Sequence, residues 1–127
     1  MNDRDFKATT RIIAHIETIL GYMKSAKTFE EFNQNQLVVD AVVFNLTQIG
    51  EISKYRISSL TKEINNHIPW NEMYGFRNRI IHDYDQINMN IVYDTIKDDL
   101  PELLKQVIQM MYENEKQIKK QMVEFID

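Results

Sequence analysis

Residues 77–84 read Arg-Asn-Arg-Ile-Ile-His-Asp-Tyr. Two guanidiniums, an amide, an imidazole and a phenol fall within this one short stretch. Nowhere else does the chain set a titratable base so close to fixed cations and other polar donors. His15 and His67 stand alone by comparison. An imidazole, whose ordinary pKa is near neutrality, can take the proton from an RNA 2′-hydroxyl. A guanidinium can grip the phosphate in a forked contact and stabilise charge growing on its oxygens. Together they can cut a phosphodiester without a metal. DNA lacks the 2′-hydroxyl, so this route selects RNA. A histidine near a helix C-terminus is favoured in its protonated form by the helix dipole, which suits alternation between acid and base roles. Tyr84 can stack on a base or orient a phosphate.

Spacing limits how these groups meet. In an unbroken helix, residues five apart differ by about 140° around the axis. Arg77 and His82 therefore do not share a face, whereas Asn78 and Arg79 each do share one with His82. Either the helix loosens at Ile81, or a symmetry mate supplies a second copy across a cleft. A structural alternative stands beside the catalytic one: the arginines pair with Glu72, Asp83 or Asp85, and His82 caps the helix end. A metal phosphohydrolase built on His82-Asp83 is a further option, but His15 and His67 offer no ligand spacing to complete it.

The rest of the chain must position this segment. It has 127 residues, enough for one domain over residues 1–127 with a real core. Only three Gly and two Pro are present, which disfavours an all-β fold rich in tight turns. Without Cys there is neither a disulfide framework nor a thiolate metal site, and an intracellular, cytoplasmic protein is expected. The N-terminus is polar and charged rather than a signal segment. The most apolar run, 37–46, is interrupted by Asp40 and Asn45 and is too short to span a bilayer. The formal net charge of −4 argues against binding nucleic acid by bulk electrostatics, though not against a local basic cleft.

Helical periodicity dominates. Ile12, Ile16, Ile19, Leu20 and Met23 mark a first helix over about 5–26, with His15 beside its apolar face. Thr28 and Glu31 have the form of a capping box that opens a short helix, and the Asn/Gln cluster at 33–36 reads as a polar turn. Val39, Val42, Leu46, Ile49 and Ile52 form one stripe over 37–55. The first half of that helix is apolar around most of its girth, so it must be covered on more than one side, part of it by a second subunit. Residues 65–69 read as a loop, with Pro69 in the first turn of the helix that carries residues 77–82. Residues 83–86 look like its exit. The last helix starts near Asn88 or Asn90, and Pro101 predicts a kink or a break.

With these elements placed, Arg77 to Tyr84, preceded by Pro69-Trp70 and Gly75-Phe76, resembles the signature of HEPN-domain proteins of the HepT type. Val42 to Ser53, ending in Ile-Gly-Glu before Ile52, is similar to the central helix of that family. The resemblance covers most of the chain. It implies an all-α, up-and-down bundle of about four to five helices that homodimerises, with two Arg–His motifs facing one cleft. It implies the toxin of a toxin–antitoxin pair: a metal-independent endoribonuclease that cleaves mRNA or tRNA and needs no cofactor. Carried over by residue, Arg77 and His82 become the catalytic pair. Asn78, Arg79 and Tyr84 become the supporting, RNA-contacting residues. Tyr84 also matches the tyrosine that a minimal nucleotidyltransferase antitoxin, MntA, modifies with AMP. A non-catalytic helical module that binds a nucleotide or a partner nucleotidyltransferase through the same cleft is the competing expectation.

Overall fold

The structure, a computed structural model, describes residues 1–126. Helix α1 (Asp3–Met23) starts where Asn2 accepts a hydrogen bond from the Asp5 amide at 2.7 Å. Two carboxylates in its first turn complement the helix dipole. Ala8, Ile12, Ile16 and Ile19 recur at three- and four-residue steps and are all buried. Thr28 caps α2 (Phe29–Gln34) by accepting from the Glu31 amide at 3.2 Å. The reciprocal arm of the expected box lands one residue early: the Glu31 carboxylate accepts from the Lys27 amide at 3.0 Å. Phe32, fully buried, anchors this short helix.

The Asn/Gln cluster acts as a hinge. Asn35 ends α2 and caps α3 (Gln36–Tyr55) by accepting from the Val38 amide at 3.2 Å. Val38, Val39, Val42, Val43, Leu46, Ile49 and Ile52 are buried, so the valine-rich run is helical despite its strand propensity. Each such side chain contributes about 1.5–3 kcal/mol of burial. Helix α3 is the central rod. It packs antiparallel to α1 on one flank, with Arg4 near Tyr55 and His15 near Asn45. It packs antiparallel to α5 (Trp70–Asp83) on the other, with Asp40 near Tyr84 and Tyr55 near Tyr74.

Between them lies α4 (Ser59–Ile64), a helix that the sequence pattern does not mark. Only Thr61 of its six residues is buried, so no apolar stripe announces it. Polar bonds hold it in place. Asp5, 1% exposed, accepts from the Ser58 amide at 2.8 Å, the Ser58 hydroxyl at 2.6 Å and the Thr61 hydroxyl at 2.5 Å. Burial alone would raise the Asp5 pKa, but these donors outweigh it and hold the carboxyl below its ordinary value. The start of α1 is thereby tied to α4.

Pro69 precedes the first residue of α5, and the Trp70 indole donates to the Asn65 carbonyl at 3.1 Å. α5 runs unbroken to Asp83, then passes into a 3₁₀ turn over Tyr84–Gln86. Asn88 caps α6 (Met89–Asp94). Of the kink or break expected at Pro101, no break occurs, and the helix is distorted just ahead of the proline instead. A π-helical turn over Thr95–Asp99 joins α6 to α7 (Leu100–Ile126), and the Leu100 amide bonds the Thr95 carbonyl five residues back. Proline lacks an amide hydrogen and crowds the carbonyl four residues before it, so a widened turn just ahead of it relieves both problems. Four long rods therefore form one bundle, with α2 and α4 as short bridges. The described residues include no strand, and one contiguous apolar core joins all four rods.

Candidate functional site

The site grows from the crossing of α3 and α5. Gly50 sits where the two rods approach closely. A Cβ there would lie 2.7 Å from the Met73 carbonyl oxygen and would collide with the Arg77 Cβ. Glycine inside a helix costs about 1 kcal/mol relative to alanine. Close approach is the reason for it here, and it lays Arg77 against α3. The next residue, Glu51, then meets the guanidinium: Arg77 Nη2 lies 3.1 Å from Glu51 Oε2. That contact is an ion pair without hydrogen-bond alignment, since the same oxygen has no hydrogen-bond partner among the described residues. On its other side Arg77 Nη1 donates to Asn78 Oδ1 at 2.9 Å. The Tyr74 ring flanks the guanidinium, with Cζ 5.8 Å from its centroid. Arg77 is thus oriented from three directions while a quarter of its side chain stays exposed.

Because α5 does not loosen at Ile81, Arg77 and His82 remain about 140° apart around the axis. Asn78 bridges part of that gap. It binds the Arg77 guanidinium and stands one turn before His82 on the same side of the helix. His82 occupies the last turn of α5 and is open to solvent. Arg79 is exposed and makes no ion pair among the described residues. Tyr84 sits on the 3₁₀ turn, and its hydroxyl donates to Asp40 Oδ1 at 3.3 Å. Asp40 also accepts from Gln36 Nε2 at 2.7 Å. Partial burial and the Asp40 carboxylate both push the Tyr84 phenol above its ordinary pKa.

The structure therefore joins Arg77 to Asn78 and sets His82 one turn beyond that amide, with Tyr84 turned toward the start of α3. The pairings expected as a structural alternative, of Arg77 with Glu72, Asp83 or Asp85, do not form; Glu51 is the partner. In the sequence Glu51 belongs to a polar stripe that assigns it no partner. Its signal is the glycine beside it, an unfavourable residue that marks a close helix crossing. Tyr74, by its spacing, counts only as apolar surface. Its hydroxyl shares a hydrogen bond with the Tyr55 hydroxyl across 3.0 Å, and the rings meet edge to face at 5.7 Å. The bond raises the Tyr55 pKa and lowers that of Tyr74, which Asn78, Arg77 and Lys54 also favour as an anion. His15 has a structural contact: its Nδ1 lies 2.7 Å from Asn45 Oδ1 on α3.

A separate cavity of about 420 Å³, lined by Leu46, Ile49, His67, Met73, Phe76 and Leu103, opens on the other flank of α5. It includes neither Arg77 nor His82. Among the described residues no group of three or more His, Asp or Glu side chains gathers as a metal site, and no helix is long and apolar enough to cross a membrane.

Helix α5 carries Arg77, Asn78 and His82, and an all-α bundle without strands among the described residues is consistent with the HEPN class. The chain belongs to its HepT-like family: residues 12–110 match the model described as "Ribonuclease HepT-like". It is 35% identical to "Putative RNase MJ1216" of Methanocaldococcus jannaschii over 84% of this chain and 87% of that protein. It is 32% identical to "Putative RNase MJ1380" of the same organism over 84% and 97%. It is 36% identical to "Probable ribonuclease HepT" of Thermococcus cleftensis over 59% and 67%. No solved structure matches the chain.

Proposed function

We propose that this protein is a metal-independent endoribonuclease acting on mRNA or tRNA in the cytoplasm, the toxin of a pair whose antitoxin is a nucleotidyltransferase of the MntA kind. Membership of a ribonuclease family supports the reaction class. The observation that carries the site assignment is the fixing of Arg77 by Glu51 and Asn78, with His82 solvent-open on the Asn78 side. In this reading His82 removes the 2′-hydroxyl proton, the 2′-oxygen attacks the adjacent phosphorus, and Arg77 stabilises the charge on the phosphoryl oxygens. The leaving 5′-oxygen takes a proton from an imidazolium. Asn78 and Arg79 contact neighbouring phosphates.

Two copies complete the cleft. Leu37 is 83% exposed and Phe44 59% on α3, and Ile81 is 48% exposed on α5. Apolar side chains this open beside a polar site suit a homodimer seam. The angular gap between Arg77 and His82 in one chain is then closed by the arginine of one protomer and the histidine of its partner. Tyr84 is the modification candidate. An AMP group on its oxygen would take away the hydroxyl proton shared with Asp40 and set a phosphate anion beside that carboxylate, two residues from His82.

The test is RNA cleavage in excess chelator by the wild type, Arg77→Ala and His82→Ala. Each variant is expected to lose about 10²- to 10⁴-fold in rate with no change in helical circular dichroism. Unchanged cleavage in both would remove the assigned pair, and cleavage abolished by chelator would remove the metal-free mechanism.

A further inference from the structure

In a chain of net charge −4, the cations are not spread evenly. A groove at the start of α1 is lined by Arg4, Lys7, Arg11 and Arg56, with Asp3 as its one carboxylate. Asp3 is already paired with Lys7 at 3.2 Å. The groove leads toward the Arg77 site. Arg4 Nη2 donates to the Tyr55 carbonyl at 2.9 Å, and Tyr55 touches Tyr74, which flanks Arg77. Lys54 lies over the same Tyr74 ring at 5.4 Å, and Lys62 Nζ donates to the Lys54 carbonyl at 3.1 Å. Tyr55 is 51% exposed, so much of its ring is open. This surface extends from the end of α5 remote from His82, and the catalytic reading makes no use of it.

A positive track with an open aromatic ring is what a single-stranded nucleic acid needs. Phosphates follow the cations, and bases stack on the ring without sequence preference. The centroid of Tyr74 is 5.8 Å from the Arg77 guanidinium and 5.7 Å from the centroid of Tyr55, so the open Tyr55 ring is a second step out from Arg77, beyond the nucleotide next to a phosphate held there. A double helix would hide its bases from that ring.

We propose that Tyr55, backed by Tyr74 and Lys54, and the Arg4–Lys7–Arg11–Arg56 groove form a binding track for the single-stranded RNA flank on one side of the phosphate held at Arg77. The inference rests on the ribonuclease reading, but it is a statement about binding and can fail separately. The test uses the full chain and 2′-O-methyl oligonucleotides, which cannot be cut through the 2′-oxygen, of two and of eight nucleotides. Anisotropy gives affinity and its salt dependence for the wild type, Tyr55→Ala, Tyr55→Phe and the double variant Arg11→Glu/Arg56→Glu.

Tyr55→Ala should weaken the eight-mer about tenfold and leave the dinucleotide within about twofold, because only the longer strand reaches the ring. Tyr55→Phe keeps the ring and should bind like the wild type, which separates stacking from the Tyr74 hydrogen bond. The double variant should lower the slope of log affinity against log salt by about 0.7 for each phosphate that is no longer neutralised. In cleavage, Tyr55→Ala should raise KM for long RNA and spare kcat for short RNA. Equal eight-mer affinity and equal salt slope in all variants would overturn the track while leaving the ribonuclease assignment intact. Variant-sensitive binding of RNA that is never cut would support the track and overturn the ribonuclease assignment.

Discussion

At the scale of single residues, two buried or half-buried carboxylates have different roles. Glu51 sets where Arg77 points; Asp5 holds the bundle end together. The Asp5 carboxyl lies below its ordinary pKa, so it stabilises the fold at neutral pH. A depressed folded-state value means that this stability is present above the unfolded value and is lost as pH falls through the folded one. Asp5→Asn should cost about 1–3 kcal/mol at pH 7, because the fixed Ser58 amide and the two hydroxyls lose a charged acceptor. It should also flatten the decline in stability below pH ~4, which urea titrations at stepped pH will read. A variant as stable as wild type at pH 7 would show the network to be dispensable. Neither carboxylate's partners are legible in the sequence: Asp5 meets residues more than fifty positions away, and Glu51 meets Arg77 across a helix crossing. The Arg–His segment itself is legible, since residue types at fixed local spacing survive without tertiary knowledge.

At the scale of elements, apolar period identifies the rods α1, α3 and α5 to within a few residues, and side-chain caps identify helix starts. Asn35 and Asn88 both bond amides just ahead of them. What escapes is structure held by polar bonds or by backbone adjustment: α4, with one buried residue, and the π turn before Pro101. Gly50 offers a direct check on the α3–α5 crossing. Gly→Ala within a helix ordinarily gains about 1 kcal/mol. Here the added methyl meets the Met73 carbonyl and the Arg77 side chain, and overpacking costs about 1–3 kcal/mol. Gly50→Ala should therefore melt lower than wild type, and its RNA cleavage should fall because Arg77 is displaced. A higher melting temperature with full activity would contradict the crossing geometry.

At the scale of the whole molecule, the question is how the exposed apolar surface of α3 is covered. The expectation of a helix buried on several sides is met by α1 and α5 only in part, and Leu37 and Phe44 remain open. Phe44→Glu should turn a dimer into a monomer in light scattering at micromolar concentration. It should abolish cleavage while the far-ultraviolet spectrum stays helical. A wild-type monomer that cleaves RNA would refute the shared cleft.

The π turn at Thr95–Asp99 bears on how such bundles tolerate changes in length. Val92 and Ile96 on one side of Leu100, and Leu103, Val107 and Met110 on the other, all reach the core although the coil is locally slack. The slack stores one surplus residue that the next rod never feels. Shedding it would tighten the coil to ordinary pitch with the same side chains inward, so a one-residue deletion at this joint needs neither a loop nor a turn of α7.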